Sequence, residues 1–174
     1  MSDRTETIVL GGGCFWCTEA ALASIPGVIR ATPGYAGGIT PDPTYEEVCR
    51  GRTGHAEVVE VEFDPGTVPL EDVLEFFFYT HDPTSPDRQG ADVGTQYRSV
   101  VLYGSDEQKE RVERFMERIA DRYDKPIVTE VKPLVAFHPA EEYHQAYFAK
   151  NPMQPYCRMV VAPKVDKVKN KLNA

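Results

Sequence analysis

From residue 57 to 63, Val59, Val61 and Phe63 alternate with Glu60 and Glu62, the two-residue period of a strand with one buried face. Shorter apolar runs at 5–10, 28–32, 99–103 and 127–132 read as further strands. Residues 14–24 carry a helical pattern that Ile25-Pro26-Gly27 ends. Residues 70–80 are apolar on most faces (Leu70, Val73, Leu74, Phe76, Phe77, Phe78) and predict a buried helix. Ser105-Asp106-Glu107-Gln108 has the spacing of a capping box for a helix to about residue 123, with Val112, Phe115, Met116 and Ile119 on its inner stripe. A short helical turn is expected at 45–50 and a last helix at 139–149, followed by a Pro-rich tail. The Gly- and Pro-rich stretch 33–44 and the polar stretch 81–97 read as loops, the second long enough to be functional. This order predicts a two-layer α/β (α+β) sandwich with a mixed sheet and packed helices. Residues 1–174 form one domain with no internal repeat, and its C-terminal tail is expected to be mobile from about 150.

Composition narrows the function. With 174 residues, 41% of them hydrophobic, the chain can bury one core. A net charge of −8 argues against nucleic acid and anionic membranes, and no apolar run is long enough to span a bilayer. The polar start, Met1 to Glu6, lacks a signal-peptide apolar region, so a cytoplasmic protein is expected. Lys164, Lys167, Lys169 and Lys171 read as a solvated tail. Four cysteines in such a chain suggest catalytic or metal-bound thiols rather than a disulfide framework.

The chemistry concentrates at Gly12-Gly13-Cys14-Phe15-Trp16-Cys17, between a strand and a helix. Glycines permit a sharp turn. A cysteine at a helix start meets unpaired N–H groups and the positive end of the dipole, so a nucleophilic thiolate is expected at Cys14. Phe15 and Trp16 would place two apolar rings beside it, a wall suited to a methyl group. The glycines at 11–13 do not make a dinucleotide fingerprint, since Trp16 stands where the third glycine belongs. No metal, flavin or nicotinamide cofactor is implied.

Gly13-Cys14-Phe15-Trp16 resembles the signature of the class A peptide methionine sulfoxide reductases. Four further segments match in order: Tyr45-Glu46-Glu47-Val48-Cys49 with Thr53-Gly54-His55-Ala56-Glu57; Phe76-Phe77 with His81-Asp82-Pro83-Thr84; the run from Asp87 through Asp92 to Ser99; and Glu142-Tyr143-His144-Gln145. The resemblance spans about 8–164. It implies reduction of the S-epimer of methionine sulfoxide, protein-bound or free, by a monomer with a ferredoxin-like core. In this reading Cys14 is the nucleophile and Glu57 the general acid. Tyr45 and Tyr97 bind the sulfoxide oxygen, Asp92 assists from behind through water, and Phe15 and Trp16 hold the methyl group. His55 and His144 are read as structural. The resulting sulfenic acid needs a second thiol. Cys157 is preferred because family members commonly resolve with a C-terminal cysteine; Cys17, where many members have glycine, is the alternative, and Cys49 reads as packing. A thioredoxin-like partner would reduce the disulfide.

Two other functions fit parts of the pattern. A thiol–disulfide oxidoreductase would use Cys14 and Cys17 as its dithiol but leaves the glutamate, tyrosines and aromatic wall without a role. A zinc-binding interaction module would need a second close-spaced ligand pair, which the sequence lacks.

Overall fold

The structure is a computed structural model that describes residues 4–173; the first three residues of the polar N-terminal run lie outside the described residues. The chain runs β1 (Glu6–Gly11), α1 (Phe15–Ala23), β2 (Val28–Ala36), α2 (Tyr45–Cys49), β3 (Ala56–Phe63), α3 (Leu70–Tyr79), β4 (Arg88–Gln89), β5 (Asp92–Val93), β6 (Val100–Tyr103), α4 (Asp106–Ile119), β7 (Glu130–Pro133), β8 (Phe137–Pro139), α5 (Tyr147–Lys150) and α6 (Ala162–Leu172). Six strands form one mixed sheet in the order β7-β6-β1-β3-β2-β8. Only β6 and β7 are parallel; the other neighbours are antiparallel. Two interleaved β-α-β units, β1-α1-β2 and β3-α3-β6, build the centre of this sheet.

Alternation sets the two faces. Ile8, Leu10, Val59, Val61 and Phe63 join Leu22 of α1, Leu74 and Phe77 of α3, and Phe115 of α4 in the main core. Val9, Val58, Val100 and Leu102 face the other way and are covered by Leu134 on the β7–β8 connection and Phe137 of β8.

The pairing register brings the chemistry to one end of the sheet. Tyr35 pairs with Glu57, and a Cβ on Gly11 would meet the Glu57 carbonyl at 2.8 Å. Glu57 therefore sits where β1 hands over to α1.

Several elements differ from the sequence reading. β2 continues through Pro33 to Ala36, inside the expected loop. A proline is tolerated because β2 is a near-edge strand, flanked on its outer side only by the three-residue β8. The 81–97 loop contains the β4–β5 ribbon and a 3₁₀ turn, Thr95–Tyr97. The expected helix at 139–149 is instead a strand end, a 3₁₀ turn at Glu142–His144 and the single turn α5. The Pro-rich tail folds into a π-turn, Cys157–Val161, and then α6, whose Pro163 lies in its first turn, where a missing N–H leaves no helical bond unmade. Ser105 does cap α4, but Gln108 turns away to Gly104, Glu6 and Thr7, so the box there is half made.

A complete capping box stands instead at Thr44 and Glu47, and it fixes the helix that starts at Tyr45. Thr44→Ala should cost about 1 kcal/mol in urea unfolding, since one N–H at the start of α2 loses its acceptor.

Candidate active site

Gly13 adopts φ +98°, a backbone that only glycine takes without strain, and it turns the chain from β1 into α1. Cys14 follows as the extended N-cap residue, its carbonyl accepting from the Cys17 and Thr18 N–H groups. The Phe15 N–H, free at the helix start, donates to Glu57 Oε1 at 3.1 Å. Glu57 is 1% exposed, and its other oxygen, Oε2, is buried without a hydrogen-bond partner. An ionised carboxylate would leave that lone charge unsolvated. Burial, with the charges of Asp92 and Cys17 nearby, therefore raises its pKa to about 8 against the pull of the Phe15 N–H. At neutral pH Glu57 is mostly a carboxylic acid.

Cys14 corrects the expectation of a ready-made thiolate. A backbone N–H at the helix start, that of Trp16, does favour the anion. It is outweighed: Cys14 donates its hydrogen bond to Cys17, and burial and the Glu57 charge act the same way, so its pKa lies well above that of a free thiol. Cys17 is lowered instead, by the bond it accepts from Cys14, by Lys164 and by the Tyr156 hydroxyl. The bond thus holds the proton of Cys14 on Cys14 and favours the anion at Cys17.

The remaining predicted residues are arranged around this pair. Phe15 is buried and stacks on Tyr45 at 6.4 Å between ring centroids. Trp16 lies flat on Tyr147, with ring centroids 3.8 Å apart and planes within 4°. Its indole N–H donates to His144 Nδ1 at 3.0 Å. Burial raises the phenols of both Tyr45 and Tyr97, and the nearby Glu57 carboxyl acts the same way when ionised, so both hydroxyls keep their protons. Asp92 lies on β5 and accepts from the Tyr156 hydroxyl at 2.6 Å; the same hydroxyl is 4.0 Å from Cys17 Sγ. His55 pins the 37–40 loop, accepting from the Gly38 N–H at 3.0 Å and lying 2.7 Å from the Thr40 carbonyl.

The four cysteines are free thiols. Cys157 is fully buried in an apolar cluster with Cys17, Val161 and Val165, and Cys14 packs against its edge. Cys49 is exposed, not packed in the core as expected, with its thiol hydrogen-bonded to the Tyr45 hydroxyl. Among the described residues no three His, Cys, Asp or Glu side chains are grouped to hold a metal ion. No helix among them is long and apolar enough to cross a membrane.

Residues outside the sequence reading complete the frame. Glu141 accepts from the Tyr35 hydroxyl at 2.8 Å and from the Tyr45 N–H at 3.0 Å, tying β2 to α2. Tyr147 and Tyr156 come from the C-terminal segment. Aromatics flanking Cys157 and His144 were the available signal, but they lie about 130 residues from Cys14 in the chain.

A helix-start thiol, a second thiol in contact with it and a neutral buried acid are the equipment of a thiol-dependent oxidoreductase. Comparison with known proteins gives the family. The model of the peptide methionine sulfoxide reductases matches residues 6–174. The chain is 57% identical over 172 residues to peptide methionine sulfoxide reductase MsrA of Halobacterium salinarum, covering 98% of this chain and 97% of that one. It is 56% identical over 164 residues to the MsrA of Thermus thermophilus, covering 94% and 93%. Among solved structures, methionine sulfoxide reductase A of Corynebacterium diphtheriae superposes with a TM-score of 0.84 at 40% identity, covering 88% and 78%. Yeast Mxr1 in complex with Trx2 gives 0.61 at 26% identity, covering 84% and 87%. The chain belongs to the peptide methionine sulfoxide reductase family.

Proposed function

We propose that the chain reduces the S-epimer of methionine sulfoxide, in proteins and free, and that a thioredoxin-like dithiol regenerates it. The observation that carries the mechanism is the partnerless Glu57 Oε2, buried beside the thiol pair and protonated near neutrality. It is the donor for an oxygen that must leave sulfur. The methyl group lies against Phe15 and Trp16, and the Tyr45 and Tyr97 hydroxyls donate to the sulfoxide oxygen as it gains charge. Cys14 passes its proton to Cys17 and attacks the sulfoxide sulfur while Glu57 protonates the oxygen. In balance, R₂SO and Cys14–SH become R₂S and Cys14–SOH. The oxygen and the thiol hydrogen both end on the sulfenic acid, whose sulfur has lost the two electrons that the substrate gains.

A second thiol then displaces water to give a disulfide. We assign this step to Cys157, which shares an apolar cluster with Cys17 at whose edge Cys14 packs, and which would reach Cys14 by a shift of the 157–161 turn. Cys17 is the second reading, favoured by its contact with Cys14. Cys157→Ser should leave one round of reduction per chain and stall thioredoxin-driven cycling; a stall in Cys17→Ser instead would transfer the role. Mxr1's complex with Trx2 supports a thioredoxin as reductant. Four free thiols suit a reducing compartment, and we place the protein in the cytoplasm. Wild-type chain assayed on separated epimers of a blocked methionine sulfoxide, with and without thioredoxin, tests the whole reading.

A further inference from the structure

Glu19 is buried in α1, only 7% exposed, one turn beyond Trp16 on the same side of the helix. Its two carboxylate oxygens accept from the Ala146 N–H at 3.1 and 2.8 Å, and the Tyr147 N–H also points at it. Ala146 needs such an anchor. It is a non-glycine residue at φ +53°, in the left-handed region, and it opens a helix of only four residues whose start has no side-chain cap of its own. Packing does not hold this turn from behind, because a hollow of about 250 Å³ lies there, walled by Glu19, Ala146, Phe148 and Val165. The segment is tied to α1 at two polar points, His144 to Trp16 and Ala146 to Glu19. Tyr147, stacked on the Trp16 ring, follows directly on the second.

Burying a carboxylate is unfavourable, and the raised pKa of about 7 reflects it, offset by the two N–H groups and by Lys150. A glutamine or leucine would fill the same space without that penalty. The charge-assisted bond to a strained backbone is what the acid adds.

We propose that Glu19 is a positioning residue for the substrate pocket: its carboxylate caps α5 and thereby holds Tyr147 flat against Trp16. The inference rests on Trp16 as a pocket wall. The acid touches neither thiol nor substrate, so its loss should weaken substrate binding and leave the chemical step in place.

Trp16 is the only tryptophan in the chain, so its emission reports the stack directly. Glu19→Ala and Glu19→Gln are compared with wild type by tryptophan emission, and by single-turnover reduction of blocked methionine S-sulfoxide over a range of concentrations. Glu19→Ala should change the emission and raise the half-saturating substrate concentration about tenfold, with the saturated rate constant within about twofold. Glu19→Gln, which keeps one acceptor oxygen, should recover about half of the emission change and carries the test if the alanine variant does not fold. Double variants with Tyr147→Leu should add nothing further to either change. Unchanged emission with unchanged half-saturation, or a fall confined to the saturated rate constant, would overturn the proposal. Failure of the functional reading is separate: wild type would then be inactive, while the emission comparison would still decide whether Glu19 holds the stack.

Discussion

Replacing Cys14 by serine should abolish reduction of methionine sulfoxide, a loss of at least about a thousandfold that leaves the fold intact. The size follows from the reaction. Sulfur attacks an oxidised thioether as a polarisable nucleophile, and a serine hydroxyl at the same place has neither the softness nor the acidity. It also has no accessible higher oxidation state in which to keep the oxygen. Neither neighbouring thiol can substitute: Cys17 is buried in the apolar cluster behind the helix start, and Cys157 is fully buried within that cluster. The stability effect should be small, since Cys14 is only partly buried and contributes its backbone, not its side chain, to the first turn of α1. Counting methionine released per chain without reductant checks this. Release near one equivalent from Cys14→Ser would remove the nucleophile from this account.

The second large effect belongs to Glu57. Glutamine preserves the size and the oxygen that receives the Phe15 N–H, so the helix start should hold its position. It cannot give up a proton to the departing oxygen. Loss of a positioned general acid predicts a fall of about 10²–10⁴ in the single-turnover rate. The pH profile separates this from a structural effect. In wild type the rate should rise as the thiol pair ionises and then fall as pH passes about 8 and Glu57 loses its proton. In Glu57→Gln there is no acid left to ionise, so the slower rate should rise with pH and level off. A variant that keeps the falling limb, or loses less than about tenfold at neutral pH, would show that another group supplies the proton.

How much of this was readable beforehand depends on the residue. Glu57 was legible in the alternation itself: it is in phase with Val59, Val61 and Phe63, not with Glu60 and Glu62, so the period already turned it inward. The helix start at Cys14 was legible because glycine, cysteine and an apolar helix face announce it locally. The thiol's protonation was not. A helix terminus favours the anion, but its pull competes with burial and a second thiol, and both depend on contacts that spacing alone does not set. The C-terminal third was the least readable. Its Pro-rich stretch reads locally as a tail, yet Pro163 falls at a helix start, and the docking of α6 on α1 is decided by Cys157, Val161 and Val165 finding Cys17 far away in the chain. Tyr147 and Tyr156, whose rings pack on Trp16, arrive by the same long-range packing, which explains why the sequence points only to Phe15 and Trp16, adjacent to the nucleophile.

The most direct measurement mixes reduced wild-type chain, without any reductant, separately with the S- and R-epimers of a blocked methionine sulfoxide, then quantifies released thioether and weighs the acid-quenched protein. The account predicts one equivalent of thioether from the S-epimer alone, with two hydrogens lost from the chain and Cys14 in the new disulfide. Equal consumption of both epimers, or thioether formed while the thiol at 14 stays free, would contradict it.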